Sequence, residues 1–110
     1  MPSWALIDAE IEASAVPVLS PAREMAAADV VPGGSLENLE HVSPFVDWSE
    51  GLSRVDRVLL ADAQTSGGLL IAVPEERAEA LVAALRARGV EGHRVGRFTG
   101  AGVGRVRVLG

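Results

Sequence analysis

Residues 67–89 restrict the fold more than any other stretch of the chain. A glycine pair, Gly67-Gly68, opens directly into five consecutive apolar residues, Leu69 to Val73, and Pro74 stops them. A run of that length bounded by glycine and proline predicts a buried central strand. Beyond Pro74, Glu75 and Glu76 fall in a first turn, Ala78, Leu81, Val82 and Leu85 share one face, and Arg86 and Arg88 precede Gly89. An acidic start, a basic end and a glycine stop all agree with the period of the apolar face, so a helix is expected over 75–88. Two β-branched stretches follow, 93–99 and 105–109, separated by Gly100-Ala101-Gly102-Val103-Gly104. They predict a closing hairpin.

The first half of the chain is less regular. Residues 5–13 alternate, with Leu6, Asp8, Glu10 and Glu12 on one side and Ile7, Ala9, Ile11 and Ala13 on the other, which predicts a strand with a polar face. Ser20-Pro21 supplies a cap and a first-turn proline for a helix over about 21–29. Pro32-Gly33-Gly34 breaks the chain, and Ser35 is placed to cap a short helix carrying Leu36, Leu39 and Val42. Residues 45–48 fit a brief strand or buried loop, and Leu52, Val55, Val58 and Leu59 form the stripe of a third helix ending near Ala61. Strands and helices in this order give an α+β domain with a mixed sheet covered by helices.

Size and composition exclude several classes of function. With 110 residues and 48% hydrophobic content, the chain can bury one core, and a single domain over 1–110 is expected. The absence of cysteine removes disulfides, thiolate chemistry and sulfur-bound zinc, and favours a cytoplasmic location. No apolar run approaches the roughly 20 residues of a membrane span, and residues 1–12 lack the basic start of a signal peptide. A formal charge of −5 argues against a nucleic-acid partner. All ten basic residues are arginine, so neither a Schiff-base lysine nor a P-loop lysine is present.

Several residue groups invite a chemical reading. The Gly100-x-Gly102-x-Gly104 spacing resembles a dinucleotide fingerprint, but it leads into a strand rather than a helix, which favours a turn. His41 and His93 have no histidine or cysteine at ligand spacing, so no metal site is expected on them. Arg94, Arg97, Arg105 and Arg107 would gather into an anion patch if the terminal strands paired in register, although a solvated face is the commoner outcome. Asp8, Glu10 and Glu12 share one strand face and could hold a divalent cation, or simply form its wet side. Ser66 lacks the strand-turn-helix elbow and the base that an acyl-transfer nucleophile needs.

The segment 62–70, DAQTSGGLL, stands apart because small polar residues and two glycines immediately precede the apolar run. Glycines permit positive φ and close backbone approach, while Asp62, Thr65 and Ser66 can bond neighbouring backbone groups or face a phosphate. The residues themselves leave a structural turn and an anion-facing nest equally open. Asp62, Thr65, Ser66, Gly67 and Gly68 are the candidate binding residues, and no catalytic or metal-binding residue is expected.

The string DAQTSGGLLIAV at 62–73 closely resembles the signature of the carboxy-terminal domain of selenide, water dikinase (selenophosphate synthetase), in the aminoimidazole ribonucleotide synthetase superfamily. The stretch VPVLSPAREMAAADVVPGGSLENLEHV at 16–42, the glutamate-rich helix and the final strands are similar as well, so the likeness covers nearly the whole chain. One departure is Ala63, where the family string usually has proline; its loss should loosen the turn. The resemblance implies a three-layer α/β/α domain, partly ferredoxin-like. It also implies an enzyme that converts ATP, selenide and water to selenophosphate, AMP and phosphate with magnesium.

In that family the reactive cysteine or selenocysteine, the neighbouring lysine and the metal-binding aspartates lie in an amino-terminal ATP-binding domain that this sequence does not contain. No cofactor is therefore expected in this chain, and ATP and magnesium belong to the full-length family. The expected role is to pack against that domain and shape its ATP site, without activity alone. The competing expectation is a free-standing interaction or regulatory module that kept the fold without the reaction. Surface left bare by the absent domain could also drive homo-oligomerisation.

Overall fold

The computed structural model describes residues 6–64 and 67–110. The chain divides into two compact units, one formed by residues 1–63 with 95–110 and the other by residues 64–94.

In the first unit, strand β1 (Ile7–Glu12) is followed by a 3-10 turn at Ala13–Ala15, helix α1 (Ser20–Ala27) and helix α2 (Gly33–Val42). A second 3-10 turn at Ser43–Phe45 leads into the short strand β2 (Val46–Trp48) and helix α3 (Arg54–Leu60). Helix α4 (Glu75–Ala87) belongs to the second unit, and strands β3 (Gly96–Ala101) and β4 (Val106–Leu109) return to the first. Among the described residues the strands form one mixed sheet in the order β2-β4-β1-β3. β4 runs parallel to both β1 and β2, and β3 is antiparallel to β1. The architecture is α+β, as the alternation of patterns predicts.

Local chemistry explains where the helices stop. α1 begins at Ser20 rather than being capped by it, with Leu19 extended ahead and Pro21 in the first turn, where a missing N–H costs nothing. It ends in a Schellman pattern: Val30 N–H donates to the Met25 carbonyl at 2.8 Å and Asp29 N–H to Ala26 at 3.0 Å. Asp29 takes the left-handed conformation there, with φ 63°. α4 ends in the same pattern, Val90 donating to Leu85 at 2.9 Å and Gly89 to Arg86 at 3.0 Å. Gly89 has φ 77°, the conformation that favours glycine. α3 starts with a capping box in which Ser53 and Asp56 exchange backbone and side-chain bonds. Buried Ala26, Leu52, Val58 and Val108 come from α1, the approach to α3, α3 itself and the inner strand β4.

Two sequence expectations are corrected. The closing stretches do not pair as a hairpin, because β1 lies between β3 and β4. The glycine-rich link crosses the end of β1, and Asp8 fills it: Oδ1 accepts the N–H groups of Val103 (3.0 Å), Gly104 (3.0 Å) and Arg105 (2.9 Å). A side chain on Gly102 would strike this carboxylate, and Gly100 and Gly104 have positive φ, so the glycines serve the crossing.

The second correction concerns Leu69–Val73, which is not a strand. Five apolar residues without alternation fit a buried strand but do not specify a pairing partner. Within its own unit the run has no other described strand against which to form a ladder. Leu69, Leu70 and Ile71 are 90%, 83% and 51% exposed, and the inner positions of the sheet belong to β1 and β4.

Candidate functional site

The candidate segment begins where α3 ends. Ala61 caps α3, its N–H donating to Arg57 O at 3.1 Å, and the chain passes directly into Asp62. The Asp62 carboxylate accepts a hydrogen bond from Ser35 Oγ at 2.5 Å, and the same hydroxyl accepts the Ala63 N–H at 3.1 Å. Ser35 is completely buried inside the first turn of α2, so it does not act as the cap its position suggests. Pro32, extended, precedes the helix instead. Asn38, one turn further along α2, donates from Nδ2 to Ala61 O at 3.1 Å. A Cβ on Gly34 would lie 3.2 Å from Ala63 Cβ, so the α2 backbone closely approaches the turn.

Thr65 and Ser66 lie outside the described residues. Gly67 and Gly68 are described, and Gly68 does not have positive φ, so its value is not the left-handed backbone that glycine permits. A Cβ on Gly67 would meet the movable end of the Gln64 side chain, and one on Gly68 would meet no described atom within 4 Å. Nothing described in the chain fills the space a side chain at Gly68 would take.

Internal pairing accounts for Asp8, Glu10 and the four arginines. Asp47, Arg107, Glu10 and Arg97 stand side by side across β2, β4, β1 and β3, alternating in sign. Arg97 Nη2 lies 2.9 Å from Glu10, and Arg107 Nη1 lies 3.4 Å from the other Glu10 oxygen. Arg105 grips Asp47 with two nitrogens and donates to Pro44 O at 3.1 Å. Arg94 pairs with Glu79 of α4 at 2.9 Å. Each of the four arginines is therefore matched by a carboxylate, and on β1 Glu10 faces arginines while Asp8 accepts backbone N–H groups. Among the described residues no group of three or more His, Cys, Asp or Glu is arranged to hold a metal ion. His93 lies 3.7 Å from Glu91.

Three aspartates are held ionised by these contacts. The Arg105 N–H, assisted by those of Val103 and Gly104, lowers the Asp8 pKa against a smaller desolvation effect. The Arg105 guanidinium lowers that of Asp47, and the Arg23 guanidinium, 2.8 Å away, lowers that of Asp56.

Two shallow cavities lie elsewhere on the first unit. One of about 360 Å³ is lined by Leu39, Trp48, Leu52 and Arg57, with the Arg57 guanidinium 5.8 Å from the Trp48 ring centroid. The other, about 250 Å³, lies among Asp8, Glu10, Asp47 and Arg105 on the charged sheet face. Neither includes the candidate segment.

The comparisons with known proteins agree with this architecture. The family model described as "AIR synthase related protein, C-terminal domain" matches residues 5–109. The chain is similar to the selenide, water dikinase of Pelobacter propionicus, 49% identical over 81 residues, covering 74% of this chain and 23% of that protein. The enzyme of the same name from Carboxydothermus hydrogenoformans is 40% identical over 92 residues, 84% of this chain and 27% of the relative. That of Myxococcus xanthus is 40% identical over 88 residues, 80% and 25% of the respective chains. The chain spans about a quarter of the length of the curated relatives it matches.

Proposed function

The chain belongs to the AIR synthase related protein, C-terminal domain family, and from that premise we propose that it is the carboxy-terminal portion of a selenide, water dikinase. Its role is to pack against an amino-terminal ATP-binding domain and complete the ATP site there. The observation that carries the reading is the segment 62–73: anchored to α2 at Asp62–Ala63, bare at Gly68, and continuing into apolar Leu69–Ile71 that water largely surrounds. An apolar stretch this exposed is characteristic of a surface awaiting a partner. The similarity to about a quarter of several selenide, water dikinases supports the amino-terminal domain of such an enzyme as that partner.

The described residues do not fit a metal centre, and the arginines of the sheet face are committed to carboxylates. In this reading ATP, magnesium and phosphoryl transfer are the work of the amino-terminal domain. What this chain contributes is a carboxylate at Asp62 held in a fixed place and a glycine backbone that another surface can approach closely. A cytoplasmic location belongs to the same reading; among the described residues no helix is long and apolar enough to cross a membrane.

Isothermal titration of the chain against the amino-terminal three-quarters of the Pelobacter propionicus relative tests the proposal. Saturable binding is expected, with a negative heat-capacity change from burial of Leu69, Leu70 and Ile71. Absence of binding, together with self-association of this chain in light scattering, would favour a homo-oligomeric module instead.

A further inference from the structure

Resting on the reading above, we infer that Gly34, Ser35 and Asn38 of α2 are positioning residues that fix Asp62 at the root of the partner-facing segment. The three grip three consecutive residues: Gly34 lies against Ala63, Ser35 bonds both Asp62 and Ala63, and Asn38 bonds Ala61. Spacings of three and four residues place Gly34 and Ser35 on the helix face that Asn38 also occupies. Gly34-Ser35 and Asp62-Ala63, far apart in sequence, are thus halves of one device.

Ser35 is the centre of it. A hydroxyl with no exposure to water must find its partners inside the protein or destabilise the fold. Here it donates to Asp62 and accepts from Ala63. Moving Asp62 or Ala63 away would strand that hydroxyl, so the contact holds in both directions. The clamp is not needed to end α3, because the α3 cap is already closed by the Ala61 N–H to Arg57 O. What it restrains is the chain immediately afterwards, where the proposed function requires a carboxylate at a defined position. Gly34 contributes by being small: a side chain there would press on Ala63. Asn38 supplies a donor to the carbonyl of the helix-capping residue, one of the groups that a helix end leaves without a partner.

Residue-resolved amide hydrogen exchange on the full 110-residue chain, combined with titration against the same amino-terminal segment, tests the assignment. The variants are Ser35→Ala, Ser35→Thr and Asn38→Ala, with Val58→Ala as a control that lowers stability through the core without touching the clamp. At matched global stability, Ser35→Ala should speed exchange of the Ala63 amide about tenfold more than Val58→Ala does, the scale of one lost buried hydrogen bond. Its affinity for the segment should fall by a similar factor, with Ser35→Thr recovering part of both because the hydroxyl remains. Asn38→Ala should change both in the same direction and by less. Equal Ala63 exchange in Ser35→Ala and Val58→Ala, or unchanged affinity in Ser35→Ala, would overturn the assignment. If the unsubstituted chain fails to bind the segment, the functional reading falls, and exchange at Ala63 still decides whether the clamp holds its turn.

Discussion

The glycine-rich link at 100–105 and the glycine-bearing segment at 62–73 look alike in sequence and are opposites in structure. In the first, three backbone N–H groups converge on Asp8, and the neighbouring arginines are matched by Glu10 and Asp47. Its donors are satisfied by the chain itself, so it has no evident use for a ligand. The second is fastened at Asp62–Ala63 and then runs into exposed apolar residues. Glycine spacing alone does not distinguish a loop that closes on its own chain from one left for a partner. What closes the first is the acceptor that the chain itself supplies, Asp8.

Removing that acceptor should have the largest effect. Asp8→Ala leaves three backbone donors without their shared partner and loosens the crossing that lets β1 sit between β3 and β4. Denaturant unfolding should show a greater loss of stability than for Gly96→Ala, Asp29→Gly or Leu70→Asp, and a wild-type midpoint would show that Asp8 does not hold the crossing. Next comes Gly96→Ala, because a Cβ at that position would collide with the backbone carbonyl of Glu10 on the paired strand. The expected cost is about 1–3 kcal/mol by chemical unfolding.

Acid should act on the first region and on the Arg23–Asp56 pair between α1 and α3. Asp8, Asp47 and Asp56 all ionise below the ordinary aspartate value of 3.8 in the folded chain. Their contribution is therefore complete above that value and is lost as pH falls through their lower folded values. A denaturation midpoint that holds from neutrality to about pH 5 and drops below about pH 4 is expected. Asp8→Ala should flatten part of that drop.

Smaller effects sharpen the contrast. Asp29→Gly relieves a left-handed aspartate at the end of α1 and gives up the exposed contact to Arg54 at 3.3 Å, for a net gain of about 0.5 kcal/mol in thermal unfolding. Leu70→Asp, at a position 83% exposed, should move stability by less than about 0.5 kcal/mol while weakening association with the amino-terminal segment. A large destabilisation by Leu70→Asp would mean that the run is packed within its own chain, and the contrast between the two regions would collapse.

Much of the fold is legible in the sequence where local signals agree. Helix α4 is visible because its acidic start, basic end, Gly89 and apolar face point to the same limits, whereas Pro44 and Gly51 bound 45–48 without deciding between the strand β2 and a buried loop. The order of strands is not legible. It depends on Asp8 meeting N–H groups 95 to 97 residues away, a pairing that hydrophobic alternation cannot encode. Leu69–Val73 misleads for a related reason: an unbroken apolar run shows a preference for burial without naming what covers it.

At the candidate site, small polar residues mark the segment 62–68 in the sequence, but its anchor at Asp62–Ala63 is not legible there. Ser35 after Gly33-Gly34 has the form of a helix cap, and only its complete burial beside Asp62 shows that it serves another segment. Ala63 likewise gains meaning from the structure. Its N–H reaches Ser35, a bond proline could not make, so the turn expected to be looser here carries a tie of its own.

Amide exchange across residues 67–73, measured with and without the amino-terminal segment of a selenide, water dikinase, tests most directly whether this stretch is a partner-facing surface. Rapid exchange is predicted in the chain alone and strong protection on mixing, with β1 equally slow in both samples. Full protection of 67–73 in the isolated chain, or none after mixing, would contradict it.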